Sequence, residues 1–126
     1  MRVWAKGLPG LEAAVELLIG HGIWLTRADF AAAALASGRD GITGAVMVSV
    51  DFEGALAARR AGGLPCSASE EQVLALAASI AAGVPVALGD LVCGLDEDNA
   101  VRVAIAVLHA AGFGGRSVLV TRRSRR

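Results

Sequence analysis

Residues on which catalysis usually depends are scarce in this chain of 126 residues, which has two histidines, two cysteines, one lysine and no tyrosine. The histidines, His21 and His109, lie at the ends of predicted helices, where the helix dipole favours an imidazolium without any catalytic role. The sequence contains neither a nucleophile elbow nor a Walker phosphate-binding pattern. We therefore predict that the protein is not an enzyme. An enzyme would require one of these histidines to meet carboxylates in a polar pocket.

Metal and cofactor motifs are missing as well. Cys66 and Cys93 do not have the CxxC spacing of a zinc or redox site, and isolated cysteines are typical of reduced thiols. The acidic stretch DEDN at residues 96–99 lacks the glycine and the glutamate that a calcium loop carries further along. We expect no cofactor, no metal and no small-molecule ligand.

Long hydrophobic runs are also absent. The longest uncharged run is residues 73–89, which is 17 residues long and is interrupted by Gly83 and Pro85, whereas a membrane span needs about 20. Near the amino terminus, Glu12 and Glu16 interrupt the apolar region that a signal peptide would need. We expect no membrane association and a cytoplasmic location.

Alanine and glycine dominate what is present. The chain has 26 alanines and 16 glycines, and 55% of its residues are hydrophobic, so one domain with a packed core is expected. A buried alanine contributes much less than the ~1.5–3 kcal/mol of a buried leucine or valine. Because such a core is modest, a protein partner or a second copy of the chain is expected to complete it.

Charge is distributed unevenly along the chain. Residues 1–112 hold seven basic and all twelve acidic residues, whereas residues 113–126 hold five arginines and no acid. This pattern divides the chain into a helical domain (1–112) and a flexible basic tail (113–126). Contacts with phosphate or with an acidic partner are predicted for four arginines of the tail: Arg122, Arg123, Arg125 and Arg126.

Caps, glycine stops and apolar spacing predict an all-α fold, a compact bundle of about six short helices. The predicted helices cover residues 9–21, 27–37, 52–61, 70–82, 87–94 and 99–111. Overlapping capping boxes at Ser67 and Ser69 give the clearest helix start, and Thr26 with Asp29 resembles another. Residues 38–44 are predicted to form a loop. Residues 45–50 are predicted to form a buried extended or helical segment, because no second strand is evident for them to pair with.

The corner at residues 80–95 resembles a repressor-type helix-turn-helix. The helix in the recognition position has no basic residue and carries Asp90, although such helices contact phosphates and bases through arginine, lysine, asparagine or glutamine. The corresponding earlier corner has Arg27 alone. Nucleic-acid binding through this corner or through the arginine tail is therefore the alternative hypothesis rather than the leading one.

Four segments of the second half occur in order: VDF (50–52), LPCSASEEQVLALAASIAAGVPV (64–86), GLDEDN (94–99) and AVLHAAG (106–112). Together they resemble small alanine-rich helical proteins that are frequent in high-GC actinobacteria. The resemblance covers residues 50–112 and implies a helical domain from a bacterial cytoplasm. It implies no particular chemistry.

These observations favour a non-catalytic, adaptor-like module that binds a protein partner or itself. Trp24 is predicted to be exposed near a corner, where it would form an interaction surface together with Arg27 and Asp90. In the alternative hypothesis the chain is a nucleic-acid-associated regulator.

Overall fold

The computed structural model describes residues 1–121, which are mostly helical and include one short β-hairpin. The predicted helical character is confirmed, whereas the prediction of an all-α fold is wrong. In chain order the elements are α1 (Arg2–Ala5), α2 (Pro9–His21), a 3-10 turn (Trp24–Thr26), α3 (Ala28–Ala34), β1 (Leu35–Arg39), β2 (Val46–Val50), α4 (Phe52–Arg60), α5 (Ala68–Ala82), α6 (Leu88–Cys93) and α7 (Glu97–Ala110).

Side-chain caps begin α4, α5 and α7. Ser67 and Glu70 form the predicted capping box at the start of α5, each side chain bonding the other residue's backbone amide. Asp96 accepts a hydrogen bond from the Asn99 amide at 2.8 Å and so begins α7. Gly83 ends α5 with φ +68°, in the left-handed region that glycine adopts without steric cost.

The β-hairpin replaces the predicted end of the second helix. Helix α3 stops at Ala34, because Leu35 is extended (φ −101°, ψ 138°) and pairs with Val50. The two strands are antiparallel, with Arg39 opposite Val46 at the other end. The segment at 45–50, which lacked an evident partner in the sequence, is thus the second strand of a pair. The predicted capping box at Thr26 is also wrong, because its hydroxyl donates to the Ile23 carbonyl instead.

Helix α2 is the centre of the bundle and runs antiparallel to both α5 and α7. Its first turn meets the last turns of its neighbours, since a Cβ placed on Gly10 would lie 3.0 Å from the Ile80 carbonyl oxygen and Glu12 lies beside His109. Small side chains permit this close approach. Four fully buried alanines lie in α2 and α5: Ala13, Ala14, Ala77 and Ala78.

Helix α1 packs on β2, and the polypeptide after α7 leaves the bundle nearby. Residues 113–121 form no helix or strand, and Leu119 is 87% exposed. The predicted contacts of Arg122, Arg123, Arg125 and Arg126 fall outside the described residues, and the division at residue 112 stays a prediction. Among residues 1–121, none of the helices has the length and apolar content needed to cross a bilayer.

Candidate functional site

Trp24 is buried, so its predicted role as an exposed interaction residue is wrong. None of its surface is exposed, and its ring lies 5.4 Å from that of Phe30, tilted by 48°. The indole Nε1–H donates to the carbonyl of Glu70 at 2.9 Å. Glu70 lies in the first turn of α5. The indole is held inside because its apolar ring packs in the core while its one donor is satisfied.

Arg27 covers this buried ring from outside. Its guanidinium carbon lies 4.7 Å from the centroid of the Trp24 ring, and its Nε donates to Asp29 Oδ1 at 2.9 Å. The hydrogen bond with Asp29 raises the pKa of Arg27 and lowers that of the carboxylate. Arg27 is therefore engaged within its own chain, which leaves it poorly placed to lead an interaction surface.

A polar cluster lies where the carboxyl end of α2 meets the amino ends of α5 and α7. Asn99 is buried and donates to Ser69 Oγ at 3.3 Å, while Arg102 donates to Asn99 Oδ1 at 2.9 Å. His21 lies in the same cluster, and its Nδ1 is buried without a hydrogen-bond partner in residues 1–121. The Asn99–Ser69 bond joins α7 to α5. The Arg102 side chain lies against the end of α2, since its Cδ would be 3.7 Å from a Cβ placed on Gly20.

We predict a pH dependence of stability that originates at His21. Burial lowers its pKa from 6.5, the charge of Arg102 lowers it further, and Glu70 and Asp96 oppose the shift. As pH falls from about 6.5 toward the lower pKa of the folded state, His21 becomes protonated in the unfolded chain while it stays neutral in the folded chain. Stability, complete above that window, therefore decreases within it. Urea unfolding in small pH steps should show this slope, and His21→Gln should remove it.

Three carboxylates provide the internal control for this experiment. Hydrogen bonds lower the pKa values of Asp29, Asp40 and Glu70 below their ordinary values of 3.8, 3.8 and 4.5. Their contribution is lost at more acidic pH than that of His21, so both proteins should still lose stability there. An unchanged slope near neutral pH in His21→Gln would contradict the assignment.

The second histidine also meets carboxylates. His109 Nε2 lies 3.7 Å from Glu12 Oε1, in a mainly apolar cavity of about 290 Å³ beside the Arg2–Glu16 ion pair. Among residues 1–121, no serine, threonine or cysteine lines this cavity, and its one amine is that of Lys6. The Glu12–His109 pair joins α2 to α7 beside α1.

Asp90 lies in a groove that crosses one face of the molecule. We call it the α4–α6 groove, because it is bounded by α4, α5 and the segment 84–91 that leads into α6. It consists of two adjoining cavities of about 240 and 280 Å³ that share Leu56, Arg60, Val84 and Pro85. Leu74 and Leu91 complete its apolar floor.

Charges of both signs rim the α4–α6 groove. On one side Arg59 donates to Glu71 at 2.9 Å, and this hydrogen bond raises the pKa of Arg59. Arg60 and Asp90, which also border the groove, have no ion-pair partner among residues 1–121. Across its two cavities the groove thus presents an apolar floor with one cation, Arg60, and two carboxylates, Glu53 and Asp90, that form no ion pair among residues 1–121.

Helix α6 extends this apolar surface beyond the groove. It has no buried residue, and Leu88, Leu91 and Val92 share one face at helical spacing. Leu88 is 58% exposed and Val92 is 40% exposed. Sequence reasoning identified Asp90 and missed Arg60, Leu88 and Val92. The sequence signal for these residues was the apolar spacing of Leu88, Leu91 and Val92 in a helix of only six residues.

No family model, curated protein or solved structure matches the chain. The resemblance to alanine-rich actinobacterial proteins therefore stays an expectation. Within residues 1–121, no three histidine, cysteine, aspartate or glutamate side chains are placed to hold a metal ion.

Proposed function

We propose that the chain is a non-catalytic interaction module that binds a segment of a partner protein in the α4–α6 groove. The observation that carries this proposal is the groove, whose floor at Leu56, Leu74 and Leu91 is apolar. Its rim holds Arg60 and Asp90, neither of which forms an ion pair within residues 1–121. Apolar surface supplies affinity, and unpaired charges select a partner with complementary groups. The expected partner segment is amphipathic, with a carboxylate for Arg60 and a basic group for Asp90.

The exposed leucine of α6 strengthens this proposal. Large side chains that stay partly exposed beside a groove are typical of interaction surfaces, whereas scattered ones carry no such meaning. Leu88 lies on the same helix as two groove residues, Asp90 and Leu91. Docking a partner segment there would cover it.

Site-specific photo-crosslinking in the organism of origin tests this function. A photoreactive residue at Leu88 should give one adduct of defined mass. The same residue at Leu8 should give none, although Leu8 is as exposed (59% against 58%). Arg60→Glu should reduce the Leu88 adduct by about tenfold, because it repels the expected carboxylate.

Two results would refute the proposal. One is equal adduct yields from Leu88 and Leu8, which would show nonspecific contact. The other is a Leu88 adduct whose yield is unchanged by Arg60→Glu and by Asp90→Arg, since the rim charges would then select nothing. Circular dichroism of each variant confirms that the helical fold is kept.

A further inference from the structure

The outer edge of strand β1 presents backbone groups that point away from β2. The Asp51 amide donates to the Ala34 carbonyl at 2.7 Å, which sets the alternation of the antiparallel ladder. By that alternation Ser37 and Arg39 direct their amides and carbonyls outward. Strand β1 otherwise packs mainly against the helix that precedes it. Such an edge is a template for an additional strand.

A hollow lies on the sheet beside this edge. The cavity has a volume of about 260 Å³ and is lined by Trp4 and Met47 together with β1. It is open because β1 contributes Ala36, Ser37 and Gly38, whose side chains are small or absent. A strand added at the edge would place alternate side chains on this face of the sheet, next to Trp4.

The chain carries a matching segment after its last helix. Residues 118–121 read Val-Leu-Val-Thr, a run with high strand propensity. Leu119 is 87% exposed and Val120 is 47% exposed, and the segment forms no strand in its own copy. Apolar side chains of this size would fill the hollow beside Trp4, which β1 lines with small residues.

The path of the chain brings this segment to the correct side of the molecule. The end of α7 faces α1, since His109 shares a cavity with Arg2 and Lys6, and α1 packs on β2. Gly114 then lies against the ring of His109. From Gly114 to Val118, four residues span up to about 14 Å, which carries the segment away from the end of α7.

We propose that residues 118–121 of one copy pair with the outer edge of β1 in a second copy, as the third strand of its sheet. The exchange is reciprocal, so it produces a symmetric dimer in which each copy gives and receives one strand. A two-stranded sheet is marginal on its own, and a third strand stabilises it. The segment stays unpaired in its own copy although it emerges on the same side. The α4–α6 groove has no part in this contact, so the two proposals stand independently.

Sedimentation equilibrium of the full chain, from micromolar to submillimolar concentration, measures the dimer dissociation constant. Leu119→Pro combined with Val120→Pro removes the strand's amides in either register, and Ser37→Pro removes an outward amide that the hairpin itself does not use. Each change should raise the constant by about 100-fold or more, because backbone hydrogen bonds are lost at a desolvated edge.

The matched control keeps the apolar segment and removes the charge. Replacing the four terminal arginines by alanine should change the constant by less than about threefold at physiological salt. This variant substitutes Arg122, Arg123, Arg125 and Arg126. Hydrogen exchange supplies a readout without mutation, since the amides of residues 118–121 should be protected in the dimer and unprotected in the monomer.

Four outcomes would overturn the proposal. The full chain stays monomeric over the whole range, or the dimer keeps its dissociation constant in the proline variants. The arginine-free control loses the dimer while the proline variants keep it, which would indicate a charge contact. Finally, residues 118–121 are protected at concentrations where the chain is monomeric, which would place the strand on its own sheet.

Discussion

Trp24→Ala is expected to reduce the free energy of unfolding by about 3–5 kcal/mol, the range measured for large aromatic side chains removed from cores. The indole is fully buried and packs on Phe30. Its removal leaves a cavity and deprives the Glu70 carbonyl of a hydrogen bond. The guanidinium of Arg27 also loses the ring on which it stacks. Urea denaturation followed by circular dichroism measures the loss.

Trp24→Phe separates the ring from its donor. Phenylalanine keeps most of the apolar contact with Phe30 and loses the Nε1–H bond to Glu70. A loss of about 1–2 kcal/mol is expected, the cost of one buried hydrogen bond and some packing. If Trp24→Ala instead cost less than about 0.5 kcal/mol, the value typical of surface substitutions, the tryptophan would be exposed as the sequence alone suggested.

The burial of Trp24 was not predictable from local sequence. This tryptophan lies in the three-residue apolar run Ile23–Trp24–Leu25, between the glycine that ends α2 and Thr26, and so short a run shows no period that would indicate burial. What holds it inside is the carbonyl of Glu70, which lies 46 residues further along the chain. Sequence patterns report short-range spacing, and this contact depends on how α5 packs against α2.

Helix α2 and helices α4 to α7, in contrast, were predictable because their boundaries are set within a few residues, whereas α1 and the end of α3 were not predicted. Ser67 finds its capping partner three residues away, and Asp51 accepts from the Gly54 amide at 2.9 Å. Glycine stops act on the turn that they end. Interactions this short act before any tertiary structure exists, so sequence alone reveals them.

The hairpin shows where such local inference stops. Strand β2 has the β-branched run Val46–Val50, but its partner β1 reads Leu-Ala-Ser-Gly-Arg and follows four alanines. Nothing in β1 favours a strand over a helix end, except that the turn brings β2 beside it. In that turn Asp40 accepts from the Ile42 amide and from the Thr43 hydroxyl.

The candidate site depends on tertiary packing in the same way. The sequence distinguishes Asp90 as an acid in a helix corner. Arg60, which lines the same groove, lies 30 residues earlier in the chain. The α4–α6 groove exists because three elements meet without filling the space between them. The one sequence feature that indicates the groove is the apolar face of α6, because Leu88 and Val92 stay exposed on so short a helix.

The alanine-rich interface between α2 and α5 leads to the second large effect. Ala77→Leu is expected to lower the free energy of unfolding by about 1–3 kcal/mol, because extra methylenes in a close-packed core force side chains or backbone to move. Ala77 has no exposed surface, and α2 and α5 approach within van der Waals contact near Gly10 and Ile80. The midpoint of urea denaturation should fall while its slope stays the same.

Ala100→Leu is the matched control for this change. Ala100 lies on the exposed surface of α7, and leucine and alanine are both strong helix formers. Its stability should therefore change by less than about 0.5 kcal/mol. If Ala77→Leu were equally harmless, α5 would have room beside α2, and small side chains would not be what sets the helix spacing. A loss confined to Ala77→Leu means that alanine holds α5 close to α2. That spacing in turn fixes where Leu74, on the same helix, lies in the floor of the α4–α6 groove.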